Sequence, residues 1–196
     1  YFDVVWASPP CTNYSALKKC WFGRKLKDGT IYTKEQNNID QDEADKLVKK
    51  SLEIIDYFDC EYWFMENPQT SNLKNREVVK GLSFHDVDYC MYSDWGYRKR
   101  TRIWTNKKDW VGKLCDGSGA CGNMILIDDG KRHLHKTNCG NSEKIQAVRK
   151  HKVLLDKVGS GSQLNEPKDL KYLGKGTNRI DRYRVPEDLI ISLFVD

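Results

Sequence analysis

Phe2-Asp3-Val4-Val5-Trp6-Ala7-Ser8-Pro9-Pro10-Cys11-Thr12-Asn13-Tyr14-Ser15 decides the fold. Val4, Val5, Trp6 and Ala7 form an apolar, partly β-branched run of strand length. Two prolines stop it, because proline lacks the backbone N–H that a sheet ladder needs. Pro10 also pushes Pro9 towards an extended backbone. Cys11 therefore stands on a stiff loop at the end of a buried strand. In open α/β sheets that rim is where ligands bind. A thiol placed there is a candidate nucleophile, although most cysteines only pack.

The same logic recurs downstream. From Asp42 to Phe58 the pattern is helical: Val48, Leu52 and Ile55 share a face, joined by Leu47 and Phe58. Asp40 or Asp42 caps its start. Tyr62-Trp63-Phe64-Met65 then reads as a second buried strand that stops at Glu66-Asn67-Pro68. Strand, helix, strand implies a parallel sheet, which puts Glu66 at the same edge as Cys11. The polar stretch between Cys11 and about Gln41 reads as a long mobile loop with a short helical turn, able to close over a substrate. Further on, the sequence predicts a short helix from Arg76 to Gly81 and strands from His85 to Tyr92 and Thr101 to Thr105. It also predicts a turn from Trp95 to Lys99, a helix from Ser142 to Val158, and a closing helix with Pro186 in its first turn.

Composition narrows the class. The 196 residues carry a formal net charge of +5 and enough aromatic residues to build a core. No apolar stretch reaches the length of a membrane span, and no signal peptide is visible. Seven scattered cysteines, an odd number, predict reduced thiols in a cytoplasmic or nuclear compartment. Basic residues cluster at Lys18-Lys19, at Arg24, Lys25 and Lys27, and at Arg98-Lys99-Arg100-Thr101-Arg102. Trp95, Tyr97 and Trp104 interleave with the last cluster, which points to a nucleic-acid partner.

A thiolate and a carboxyl group at one sheet edge, with arginines nearby, suit attack on a pyrimidine ring. The thiolate adds to carbon 6, the carboxyl meets ring nitrogen 3, and carbon 5 becomes able to take a methyl group. In a duplex the base must first be flipped out.

Ser8-Pro9-Pro10-Cys11, Glu66-Asn67-Pro68 and Arg100-Thr101-Arg102 after Trp95-Gly96 resemble the motifs of the DNA (cytosine-5) methyltransferase family. They stand in that family's order and at about its spacing. The runs Trp6–Thr12, Asp94–Lys99 and Tyr183–Ile190 are similar to the compact versions carried by phages and large DNA viruses. The resemblance implies an α/β, Rossmann-like class I fold that depends on S-adenosylmethionine, with a parallel-rich but partial sheet. Residues 1–107 would be the catalytic core, 108–178 a small target-recognition insertion, and 179–196 a helix returning to the core. It implies that Cys11 is the nucleophile, that Glu66 contacts the base, and that Arg100 and Arg102 contact base and catalytic loop. Pro9 and Pro10 would border the cofactor, and Ser15, Asn67 and Arg98 the DNA substrate.

Departures from the family pattern are visible. Proline replaces the usual valine after Glu-Asn, the turn before Arg100 is shorter, and the usual Gln-Leu-rich segment is not recognisable. The family opens with a strand, a glycine-rich turn and an acidic residue that hold S-adenosylmethionine. Nothing before Tyr1 supplies them, so the expectation is that an N-terminal cofactor-binding segment is required. The β-run at Val4, Val5 and Trp6 and the Trp63–Met65 strand would then share an open edge. A permuted order using Val158-Gly159-Ser160-Gly161 is the alternative.

Cys115, Cys121, His133, His135 and Cys139 lie close in sequence. Their spacings, Cys-x5-Cys and His-x-His-x3-Cys, miss the paired Cys-x2-Cys pattern, so they read as loop residues without metal, with a structural zinc as the alternative. Three rival functions stand beside the methyltransferase. A thymidylate-synthase-type enzyme shares Pro-Pro-Cys but follows it with histidine, where this chain has Thr12. An amino-methyltransferase needs an aromatic residue at the Cys11 position. A non-catalytic nucleic-acid-binding module would keep the basic surface without needing Cys11 and Glu66 together.

Overall fold

A computed structural model describes residues 2–127, 132–136 and 183–195. The chain divides into two compact units, Tyr1–Val87 with Arg100–Gly112, and Asp88–Lys99 with Lys113–Asp196.

In the first unit the chain forms β1 (Val4–Ala7), α1 (Lys34–Phe58) and β2 (Tyr62–Pro68). β3 (Phe84–Asp88), which runs up to the unit boundary, and β4 (Arg100–Thr105) complete a four-stranded sheet in the order β1-β2-β4-β3. β1 and β2 are parallel, with Ala7 opposite Met65. β2 and β4 are antiparallel, with Glu66 opposite Ile103 and Asn67 opposite Arg102. The sheet is therefore mixed, which corrects the expectation of a parallel-rich one. β4 enters beside Pro68, at the rim where β2 ends, so it must run back down the sheet. The open-edge expectation is half right. β1 is outermost, but β2 is paired on both sides.

α1 is longer than its periodicity suggested. It begins at Lys34 with Thr33 as its cap, whose Oγ1 accepts from the Gln36 N–H at 3.1 Å, not at Asp40 or Asp42. Asp40 is engaged elsewhere, as described below. Ala44 and Val48 bury against Met65, Trp104, Leu73, Val79 and Tyr14, and this cluster is the core on the helix side of the sheet. Leu47 and Phe58 are exposed, off that face.

The segment after Cys11 holds more than the one short helical turn expected there. It contains 3-10 turns at Thr12–Tyr14 and Ala16–Trp21 and an antiparallel bridge between Lys25 and Ile31. The short helix expected near Arg76 is two 3-10 turns, Asn72–Asn75 and Glu77–Val79. Gly81 follows at φ +81°, a value that favours glycine. The strand expected to reach Tyr92 ends at Asp88 and gives way to a 3-10 turn, Tyr89–Met91.

The second unit holds a two-stranded antiparallel hairpin, β5 (Met124–Ile127) and β6 (Arg132–His135), and a short helix α2 (Glu187–Ser192). Pro186 is the N-cap of α2 rather than a residue of its first turn. Asp88, fully buried, accepts from Arg98 Nη2 at 2.8 Å and from the Cys115 N–H at 2.9 Å. Burial pushes the Cys90 thiol up, and the neighbouring Cys115 and Cys121 sulfurs act the same way. The expected Ser142–Val158 helix, Gly159–Gly161 and Cys139 lie outside the described residues. Among the described residues no helix is long and apolar enough to cross a membrane.

Candidate active site

Because β1 and β2 run parallel, both end at one rim of the sheet. The Ala7–Met65 register sets Ser8-Pro9-Pro10-Cys11 beside Glu66-Asn67-Pro68. A direct bond ties them: Asn67 Nδ2 donates to the Pro9 carbonyl at 2.9 Å, and both residues are buried. Cys11, half-buried, begins the first 3-10 turn, its carbonyl accepting from the Tyr14 N–H at 3.1 Å. Tyr14 is the anchor of that turn. Its ring is in the core, and its hydroxyl donates to Asp45 Oδ1 on α1 at 2.8 Å. Burial and then the Asp45 carboxylate push the Tyr14 phenol far up, so it stays a proton donor.

The rest of the segment is fastened further along α1. Lys18 Nζ donates to Asp40 Oδ2 at 2.7 Å and to Asn13 Oδ1 at 2.8 Å, and the Tyr32 hydroxyl donates to the same Asp40 oxygen at 2.7 Å. Burial alone would raise the Asp40 carboxyl, but the bonds from Lys18 and Tyr32 hold it below the ordinary carboxylate value. The Cys11 loop is thus pinned at two places on one helix.

Side chains alternate across a strand, and directly opposed residues share a face. Asn67 lies on the α1 face with Met65, and Glu66 lies on the other with Phe64, Thr101 and Ile103. Glu66 Oε2, Asn67 Oδ1 and Thr101 Oγ1 are all buried with no hydrogen-bond partner among the described residues. Each such orphan costs roughly 1–3 kcal/mol. Two of them, Glu66 and Thr101, share the face away from α1 at this rim, and Asn67 stands on the other face.

The arginines divide. Arg102 stands opposite Asn67, its Nε and Nη2 donating to the two oxygens of Asp86 at 2.8 and 3.0 Å. Its guanidinium also stacks 3.6 Å from the centre of the Phe84 ring. The structure therefore does not bring Arg102 together with Glu66; it braces β4 to β3. Arg100 opens β4 at the rim itself, where its carbonyl accepts from the Gln69 N–H at 3.1 Å. Arg98 belongs to the second unit, where besides Asp88 it donates to the Cys115 carbonyl at 2.9 Å. Ser15 caps the second 3-10 turn through the Leu17 N–H.

Ser15 also lines a cavity of about 340 Å³ with Lys19, Lys34, Asn37, Gln41 and Lys74. Sequence reasoning missed this basic, amide-rich hollow. Its walls come from three separated stretches, and only their richness in lysine and asparagine hinted at it. The interleaved aromatics are corrected too. Tyr97 and Trp104 are each 2% exposed and cannot stack on a base. Two exposed aromatics, Trp21 and Phe22, do lie in the segment after Cys11, beside Lys19, Arg24 and Lys25 in the sequence.

No family model matches the chain. Among curated proteins it is similar to the "Probable DNA (cytosine-5)-methyltransferase" of Frog virus 3 (isolate Goorha). The two are 35% identical over 192 residues, which cover 98% of this chain and 74% of the viral protein.

Proposed function

Because the chain belongs to the DNA (cytosine-5)-methyltransferase family, we propose that it methylates carbon 5 of cytosine in DNA, with Cys11 as nucleophile. The observation that carries this reading is the buried, unpartnered Glu66 Oε2 at the rim where Asn67 holds the Cys11 loop. A flipped cytosine with its carbon 6 over the thiolate would offer ring nitrogen 3 to that carboxyl, satisfying the orphan.

The residues then divide the work. Cys11 adds to carbon 6 as its thiolate, which breaks the ring's 5,6 double bond and pushes electron density towards nitrogen 3. Glu66 holds a proton at that nitrogen and stabilises the charge as it forms, and carbon 5 becomes the nucleophile. Asn67 and Tyr14 are positioning residues: they fix the loop that aims the sulfur. Thr101 adds a hydroxyl on the Glu66 face. Arg100, at the rim but on the same face of β4 as Arg102, is given a base contact by the family resemblance, while Arg102 is bound to Asp86. After transfer, loss of the carbon 5 proton restores the double bond and expels Cys11. The parallel β1–α1–β2 unit suits a Rossmann-like sheet.

S-adenosylmethionine, when bound, supplies an electrophilic methyl group. Pro9 and Pro10, at the end of the outermost strand, are the residues that would border it. Their fit is partial, since neither offers an N–H and no strand among the described residues runs into a glycine-rich turn. The proposal therefore includes a cofactor-binding segment N-terminal to β1, pairing with its outer edge.

The test is covalent trapping on duplex DNA that carries 5-fluorocytosine, with S-adenosylmethionine present. The fluorine cannot leave as a proton does, so the adduct should survive denaturation for the native chain and vanish for Cys11→Ser. An unchanged adduct in that variant would overturn the assignment of Cys11. Tight, salt-sensitive DNA binding with no adduct would favour the non-catalytic module.

A further inference from the structure

Cys90 lies far upstream of the cysteine- and histidine-rich stretch, yet the fold of the second unit brings it there. It sits in the 3-10 turn Tyr89–Met91, while Cys115 and Cys121 flank a loop and His135 ends β6. One potential ligand atom from each of these four residues lies within 4.8 Å of all the others. His135 Nε2 is 3.7 Å from both Cys115 Sγ and Cys121 Sγ. That is long for a hydrogen bond. It is close to the sulfur–nitrogen edge of a zinc tetrahedron, about 3.6 Å from bond lengths of about 2.3 Å to sulfur and about 2.05 Å to nitrogen.

The surroundings are built to hold these four atoms. Asn123 is buried, and its amide nitrogen donates to the carbonyls of Cys90 at 2.8 Å and Cys121 at 3.0 Å. Its Oδ1 in turn accepts from the Gly96 N–H at 2.9 Å. Asp88 and Arg98 grip the Cys115 backbone from its two sides. The loop between Cys115 and Cys121 turns through Gly117 and Gly119, both at positive φ, and Gly122 just beyond Cys121 is also at positive φ. Gly119 is further constrained, because a Cβ there would come within 2.7 Å of His133 Nε2. His133 thus packs against the loop and stands outside the ligand set.

We propose that Cys90, Cys115, Cys121 and His135 bind one zinc ion in a closed, structural site of the second unit. Three soft thiolates and an imidazole in a tetrahedral arrangement select zinc over hard, oxygen-seeking cations. With four protein ligands no position is left for water or substrate, so the ion holds the fold together rather than doing chemistry. It ties the 3-10 turn, the glycine-rich loop and the hairpin to one point, in a unit with little other regular structure among its described residues. The reading is independent of the methylation chemistry and of Cys11.

The test uses the full 196-residue chain, loaded with zinc and freed of excess ion on a desalting column. Metal analysis should find one zinc per chain, and X-ray absorption at the zinc edge should show three sulfurs at about 2.3 Å and one nitrogen at about 2.0–2.1 Å. Cys115→Ser should lower retained zinc at least tenfold, while Cys20→Ser and Cys139→Ser keep it. Absorption on the native chain stands even if Cys115→Ser fails to fold. No retained zinc, a shell of oxygens and nitrogens only, a four-sulfur shell, or loss of the metal in Cys139→Ser would each overturn this ligand set.

Discussion

At Glu66 two demands conflict, and the conflict is measurable. A buried carboxyl oxygen with no partner costs the folded state, and under the proposed function the bound base recovers that cost. Glu66→Gln keeps the shape and removes the proton that ring nitrogen 3 needs. Turnover should fall by about 10²–10³, as when one oxyanion-hole donor is lost, while DNA affinity changes little. The urea midpoint should stay level or rise, because a buried carboxyl has gone. A lowered midpoint with unchanged turnover would make Glu66 a structural residue. Cys11 and Glu66 were legible in the sequence because their signal is local: an apolar run, a proline stop, a reactive side chain. Arg102 was not. Its partner Asp86 lies on β3, and only the β2–β4 register shows that Arg102 shares a face with Asn67 rather than Glu66. Cys90 was missed for the same reason, since nothing in its neighbourhood points to Cys115.

Helix α1 does more than cover the sheet; its first half carries the anchors of the Cys11 loop. The sequence showed the helix but not its beginning, because the turns before Asp42 have little apolar periodicity. Their polar residues are used instead for contacts, Asp40 with Lys18 and Tyr32, and Gln41 with Asn72. The antiparallel return of β4 was equally hidden, since a buried strand reads alike in either direction. Asp40 gives the element-scale prediction. Its folded pKa is depressed, so its contribution to stability is fully present above the unfolded value of about 3.9 and is lost as pH falls below that value towards the folded one. The loop should therefore stay fastened across neutral and mildly acid pH. Asp40→Asn removes the charge at every pH, leaving Lys18 and Tyr32 to share a neutral amide. Trypsin at pH 7.5 should then cut after Arg24, Lys25 and Lys27 several-fold faster, with core unfolding little changed. Equal cleavage of the two proteins would show that Tyr14 alone holds the loop.

For the molecule as a whole, the sign and placement of charge decide how it meets a duplex. The net charge of +5 is modest, so binding rests on where the positive residues stand, not on how many there are. Several supposed contacts are committed internally: Lys18 to Asp40, Arg98 to Asp88 and Arg102 to Asp86. In the segment after Cys11 stand Lys19, Arg24 and Lys25, beside exposed Trp21 and Phe22, and Lys34 and Lys74 line the cavity with Lys19. A phosphate backbone laid there would release counterions, and the logarithm of affinity would fall linearly with the logarithm of salt, by about 0.9 per phosphate neutralised. Replacing Lys19, Arg24 and Lys25 together by glutamine should weaken DNA binding and flatten that slope by about 2–3, alike for cognate and unrelated duplexes, since phosphate contacts carry no sequence information. The same replacement at Lys46, Lys49 and Lys50, on the outer face of α1, should leave the slope unchanged. If the two triple variants lose slope equally, the charge acts as a diffuse field and the loop is not the docking surface. If neither loses any, DNA is held elsewhere, and the basic hollow beside Cys11 serves another purpose.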